Sequence, residues 1–150
     1  ALLVFEKKQP LKDIAQTGTF LNADISQGLI ENIFEPNTPL HDGAVIISGQ
    51  KVVAAGCLLP LSENQSIDKA LGTRHRAAIG ISERSDCLVI VISEETGVIS
   101  IARDGKISRY LSLDNLERIL TEMYTPKEEP SIFKSISKFF VKEQENGKAE

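Results

Sequence analysis

Apolar residues fall along this chain in short blocks whose period changes from two to three or four and back. The first block, ALLVFE at residues 1–6, is a run ended by Lys7 and Lys8 and predicts a buried strand. Pro10 suits the first position of a short helix over LKDIAQTG, closed by Gly18. From Ser26 the apolar positions are Leu29, Ile30, Ile33 and Phe34, a helical stripe that Pro36 stops. Two strands are predicted at Ala44–Ser48 and Lys51–Leu59, joined by Gly49 and Gln50 as a tight hairpin. Thr73–Ser82 reads as a helix carrying Ala77, Ala78 and Ile81, with Gly80 out of keeping inside it. LVIVI at 88–92 is apolar on both faces, as in a covered central strand. Val98–Arg103 and Lys106–Leu111 flank Asp104-Gly105, a strong hairpin signal. A last helix is expected from Asp114 to Met123, with Leu113, Leu116, Ile119, Leu120 and Met123 on its inner face and Ser112 as its cap.

This alternation predicts an α/β (α+β) fold: one globular domain with a mixed central sheet of about six to seven strands flanked by helices. The domain is expected to span 1–124. Residues 125–150 are expected to form a linker, TPKEEPS, and a short tail in which Ile132, Phe133, Ile136, Phe139 and Phe140 oppose Lys134, Lys138 and Lys142. Such a basic amphipathic segment suits docking on protein, or, as the sharper alternative, a lipid surface.

Composition narrows the function classes. With 150 residues, 41% hydrophobic and 25% charged, the chain has material for a real core. Its net charge of −4 argues against a general nucleic-acid binder, and 5% aromatics without Trp argues against a single-strand stacking platform. No apolar run approaches the roughly 20 residues of a membrane span, and no signal-peptide order is visible. Cys57 and Cys87 lie singly in apolar runs and read as buried thiols of a reducing compartment. The strand-like start at Ala1 reads as a piece cut from something longer.

Three polar loops carry candidate chemistry. In Leu40-His41-Asp42-Gly43-Ala44, Asp42 can bind a divalent cation or take a proton, and Gly43 allows close approach of a ligand to the backbone. Asp-Gly is also an ordinary turn. In Leu71-Gly72-Thr73-Arg74-His75-Arg76, two arginines at a helix start outline an anion site, since cations there oppose the helix dipole unless an anion answers them. A solvated basic turn is the plainer alternative. In Ser93-Glu94-Glu95-Thr96-Gly97, Ser93 can bond a phosphate oxygen and either glutamate can hold a metal, or the segment is simply an acidic turn. Together these are the parts of a phosphoryl- or nucleotidyl-transfer site. Neither a P-loop nor G-x-G-x-x-G is present, nor H-E-x-x-H.

The segments NTPLHDGAVII (37–47), LGTRHRAAIGIS (71–82) and VISEETGVISIARDGKI (91–107) closely resemble the diadenylate cyclase domain family, which makes cyclic di-AMP from two ATP. The form most similar is the membrane-anchored cyclase of Gram-positive-type bacteria. The resemblance implies a cytoplasmic domain of a bacterial cell-membrane protein, with the membrane reached only through a segment before Ala1. It implies ATP as substrate, Mn²⁺, Mg²⁺ or Co²⁺ as cofactor, no nucleic acid, and a homodimer with facing sites. Asp42, Gly43, Ala44, Arg74, His75 and Arg76 would be catalytic. Gly43, Ala44, Leu59, Gly72, Thr73, Arg74, Arg76, Ser93 and Glu94 would bind the nucleotide. Asp42, His41 and Glu95 would hold the metal. Family members often carry an aromatic where this chain has Leu58, which removes a ring able to stack on adenine, and many have Gly where it has Val98. A weakly catalytic nucleotide-binding module is the alternative, and a metal-dependent phosphohydrolase a more distant one.

Overall fold

The computed structural model describes residues 1–126, so the expected tail at 125–150 lies almost wholly outside the described residues. Residues 1–112 form one compact unit and the segment from Leu113 a second. The elements in order are β1 (Leu2–Glu6), α1 (Lys12–Ala15), β2 (Thr19–Asp24), α2 (Gln27–Ile33), β3 (Ala44–Ser48), β4 (Lys51–Cys57), α3 (Thr73–Arg84), β5 (Leu88–Ile92), β6 (Ile99–Arg103), β7 (Lys106–Ser108) and α4 (Leu113–Tyr124). The sheet has seven strands in the order β2-β4-β3-β1-β5-β6-β7. It is mixed: β1 and β3 are parallel, and every other neighbouring pair is antiparallel.

The apolar strands hold the centre because both of their faces are covered. Val4, Ile46, Val89 and Val91 are at most 1% exposed and share one cluster with Leu11 and Ala15 near α1 and with Ala78 and Ile81 of α3. On the alternate positions Val45, Ile47 and Ile90 are buried as well. Both hairpins form as expected. Ser48 pairs with Lys51 across Gly49-Gln50, and Arg103 with Lys106 across Asp104-Gly105, whose positive φ values of 52° and 75° are those of a type I′ turn.

Polar side chains tie these layers at the end of the sheet away from the candidate loops. The Glu6 carboxylate accepts from the Leu11 amide at 2.9 Å and from the Ser48 hydroxyl at 3.1 Å. Asp86 accepts from the amides of Lys8 and Gln9. Ser82 Oγ donates to the Ile79 carbonyl and accepts from the Gly105 amide, pinning α3 to the β6–β7 turn.

The structure corrects several boundaries. Thr19–Asp24 is an edge strand that the hydrophobic pattern does not show, because none of its six residues is buried and a bulge with Asn22 at φ 46° breaks its alternation. The first helix is only Lys12–Ala15, β4 stops at Cys57, β6 starts at Ile99 and β7 stops at Ser108, while α3 continues past Ser82 to Arg84. α4 runs Leu113–Tyr124, and none of its residues is buried, so the expected inner face is half-exposed at Leu116, Ile119, Leu120 and Met123 and exposed at Leu113. Gly80 has a packing reason: a Cβ there would meet the Pro60 carbonyl oxygen, Ser62 N at 2.8 Å and Leu61 C at 2.9 Å. Both cysteines are free and buried, and burial pushes the Cys57 thiol up to about 11, which makes it a poor nucleophile.

Candidate active site

Register brings the three loops to one end of the sheet. Leu3 pairs with Val45 in parallel and Leu2 with Val91 in antiparallel, so the start of β3 and the end of β5 lie on either side of the start of β1. Ile92 pairs with Ile99, and Ala44 with Cys57, which adds the start of β6 and the end of β4 to that end. α3 leads back into the start of β5 and therefore presents its N-terminus here. The contact that closes the group is an ion pair: Arg74 Nη1 lies 2.9 Å from Glu94 Oε1.

Each loop is held by its own bonds. Thr38 organises the first: its hydroxyl donates to the Glu35 carbonyl at 2.7 Å, and its own carbonyl takes His41 Nδ1 at 2.6 Å. A carbonyl only accepts, so in the neutral ring Nδ1 carries the proton and Nε2 keeps its lone pair. Asp42 is exposed, and its carboxylate takes no hydrogen bond or ion pair among the described residues. Gly43 has φ +131°, and a Cβ there would lie 2.7 Å from Gly56 C and 2.8 Å from Cys57 O. The glycine is thus required by the β4 backbone beside it as well as by its own dihedral. Ala44 is fully buried in the core.

The second loop enters α3 through Gly72, which is extended and offers no side-chain cap, and the first helical turn contains no acidic residue. Its free amides and the Arg74 guanidinium put positive charge at this helix start, which suits an anion, while Arg76, two positions on, does not share Arg74's face of the helix. Gly72 and Thr73 are exposed, and Arg74, His75 and Arg76 half-buried. His75 behaves differently from its neighbours. Burial, and then the charge of Arg109, push its pKa down, and its Nε2 is buried with no partner among the described residues. It therefore stands as a neutral ring between two cations.

The third loop closes on itself. The Ser93 amide donates to the Val98 carbonyl, Gly97 N to the Ser93 carbonyl at 2.9 Å, and Ser93 Oγ accepts from Thr96 N. Glu94 and Glu95 are left exposed. The Arg74 hydrogen bond and charge hold the Glu94 carboxyl below the usual range, and His41 adds to this, which puts the first and third loops within electrostatic reach of each other. Leu59 is partly buried against the core cluster, next to the exposed Leu58. The Leu58 amide donates to Thr17 Oγ1 at 2.8 Å, fixing the exit of β4.

No group of three or more His, Cys, Asp or Glu side chains is assembled among the described residues. His41, Asp42 and Glu95 are not a ready-made metal cage. The donor set instead matches a hard cation that takes one or two carboxylates and completes its shell with phosphate oxygens and water. The sequence does not single out Arg109, whose charge bears on His75, since one arginine after a strand makes no motif.

Known proteins are similar to this chain in sequence and in fold. The DAC family model, described as DisA bacterial checkpoint controller nucleotide-binding, matches residues 1–107. The chain is 52% identical over 120 residues to the cyclic di-AMP synthase CdaA of Bacillus subtilis, covering 80% of this chain and 44% of that protein. It is 50% identical over 135 residues to a diadenylate cyclase of Listeria monocytogenes, covering 89% of this chain and 50% of that protein. The crystal structure of a double mutant of DacA from Staphylococcus aureus aligns with a TM-score of 0.81 at 51% identity, covering 84% of each chain. A Bacillus cereus structure described as a hypothetical membrane spanning protein aligns with a TM-score of 0.72 at 48% identity, covering 75% of this chain and 55% of that one. The chain spans about half the length of the curated relatives it matches. With the sheet, the three loops and these matches in agreement, the chain belongs to the diadenylate cyclase (DAC) domain family.

Proposed function

We propose that the chain is the catalytic domain of a diadenylate cyclase, a nucleotidyltransferase that condenses two ATP into cyclic di-AMP with release of two pyrophosphates. The observation that carries this reading is the convergence of the Asp42, Arg74 and Glu94 loops at one end of the sheet, closed by the 2.9 Å Arg74–Glu94 pair. In each half-reaction a ribose 3′-oxygen forms a bond to the α-phosphorus of the other ATP. The bond from that phosphorus to its bridging oxygen breaks, and pyrophosphate leaves. Asp42, exposed and unpartnered, takes the hydroxyl proton or holds the cation, and Arg74 and Arg76 with the first α3 amides hold the triphosphate. Gly43, Ala44 and Leu59 flank the nucleoside, Gly72, Thr73 and Ser93 add polar contacts, and Glu94 meets the polar edge. Asp42 with His41 Nε2 and Glu95 would hold Mn²⁺, Mg²⁺ or Co²⁺. When bound, that ion supplies charge neutralisation at the α-phosphate and a lowered pKa for the attacking hydroxyl.

A product with two-fold symmetry calls for two copies meeting face to face, each with one ATP. We assign the catalytic domain to 1–124 and the linker and tail to 125–150. Among the described residues no helix is long and apolar enough to cross a membrane. The Bacillus cereus neighbour's description as a membrane spanning protein supports a membrane-anchored parent, and we assign this domain to its cytoplasmic side.

The test is mass spectrometry of the products from ATP with Mn²⁺ or Mg²⁺. Cyclic di-AMP and pyrophosphate are expected. Bound ATP without pyrophosphate would replace this reading with a binding module, and AMP or phosphate with a phosphohydrolase. Specific activity is expected to rise with protein concentration below the dimer Kd, whereas constant activity from dilute monomer would overturn the facing arrangement. Arg74→Gln is expected to raise the KM for ATP by about tenfold to a hundredfold, the range for losing one hydrogen bond to a charged group. Steady-state kinetics on ATP checks it.

A further inference from the structure

Three buried side-chain atoms have no partner among the described residues: His75 Nε2, Arg109 Nε and Ser100 Oγ. Buried polar atoms are almost always bonded, so such exceptions mark a site or a missing partner. His75 lies in the first turn of α3 and Ser100 on β6, a strand that α3 packs against. Arg109 follows β7, which α3 also packs against. The backbone at this exit is unusual. Tyr110 sits in the left-handed region at φ +62° and is 73% exposed as a residue, and the Arg109 guanidinium lies 5.0 Å from its ring centroid. A non-glycine residue there carries a cost of about 1–2 kcal/mol, and such strain persists where surrounding structure enforces it. Here the enforcing bond is Leu111 N to the Ile99 carbonyl at 3.0 Å, which ties the segment to the start of β6, at the site end of the sheet.

We propose that Arg109 is a positioning residue for the Arg74-His75-Arg76 turn: held over the Tyr110 ring at the exit of β7, its guanidinium acts on His75 and so fixes the α3 turn that presents Arg74 and Arg76 to phosphate. The charged groups on the elements packed against α3 are Glu6 on β1, Arg103 on β6, Lys106 on β7 and Arg109 after it, while β5 has none. Of these, Arg109 is the one whose charge bears on His75, after burial itself. A second cation beside a buried imidazole keeps it uncharged, so the turn carries two cations rather than three, and the α3 N-terminus is not further opposed. Tyr110 restrains the guanidinium by a cation–π contact.

This role rests on the proposed phosphate-binding function of Arg74 and Arg76, and its test separates the two. The chain has only two histidines, so their ring protons are resolved by NMR and His75→Asn assigns them. In the unaltered chain His75 is expected to titrate below the ordinary histidine value of about 6.5. In Arg109→Gln its midpoint moves up, and the affinity for Mg-ATP by calorimetry falls about tenfold, as for loss of a residue that orients a ligand group. That loss depends on pH around the new midpoint, as a purely structural loss would not. Arg109→Lys keeps the low midpoint and most of the affinity, and Tyr110→Leu shifts both in the same direction as Arg109→Gln but less. An unchanged His75 titration in Arg109→Gln and Tyr110→Leu would overturn the proposal. So would a loss of affinity equal at every pH and not recovered by Lys. Absence of cyclic di-AMP from the unaltered chain would instead overturn the cyclase reading, leaving the titration and ATP-binding measurements to stand on their own.

Discussion

Asp42→Asn is expected to lower the rate of cyclic di-AMP formation by about 10²- to 10⁴-fold, the range for removing a positioned proton acceptor. The substitution keeps the size and shape of the side chain and removes its charge. In the folded protein the carboxylate is exposed and bonds to nothing among the described residues, so its loss leaves no buried partner behind. Stability should therefore stay within about 0.5 kcal/mol, as at surface positions away from special features. The neighbouring Gly43 keeps its φ of +131°, and the Arg74–Glu94 pair is untouched, so the phosphate locus survives. ATP should still bind through Arg74 and Arg76 while turnover collapses. Product analysis by mass spectrometry, with a thermal melt as control, checks the prediction. Full turnover in a folded Asp42→Asn protein would remove the role assigned to that carboxylate.

Short-range chemistry was legible in the sequence wherever one face or one dihedral decided the outcome. LVIVI had to be a covered strand, and Asp104-Gly105 takes the two positive φ values that a right-twisted hairpin needs. Ser26, where the apolar stripe was read to begin, caps α2 with its hydroxyl accepting from Leu29 N, a role that the stripe alone does not state. β2 was hidden because an exposed, bulged edge strand buries no alternating face and leaves no periodic trace. The three polar loops could be read one at a time, but their meeting is a property of register. Parallel pairing of β1 with β3 and antiparallel pairing of β1 with β5 bring Asp42 and Glu94 to one end from positions far apart in the chain. Arg109 escaped for the same reason: its relation to His75 is made by the packing of α3 on β6 and β7, not by spacing. Gly80 was read as a weak point in a helix, which is what propensity alone says of it.

Gly80→Ala should reverse that propensity argument and destabilise the fold by about 1–3 kcal/mol, the usual cost of forcing a methyl into a packed site. Propensity alone would favour alanine in a helix by about 1 kcal/mol. Packing wins because the atoms in the way are backbone. The segment Pro60–Ser62 lies along α3, its Ser62 amide donating to the Arg76 carbonyl at 3.1 Å and Ser62 Oγ donating to Glu83. A Cβ at position 80 would stand 2.8 Å from Ser62 N and 2.9 Å from Leu61 C, closer than a side-chain rotation can relieve. The segment must lift, and with it the β4 exit carrying Leu58 and Leu59 beside the candidate site. Activity should therefore fall along with stability. Gly28 is the contrast: it sits in α2, and a Cβ there would meet nothing within 4 Å. Gly28→Ala should be neutral or stabilise by up to about 1 kcal/mol. Urea unfolding of both variants reads the two signs side by side. If Gly80→Ala proved as stable as Gly28→Ala, the close approach of residues 60–62 to α3 would be wrong, and with it the placement of the β4 exit.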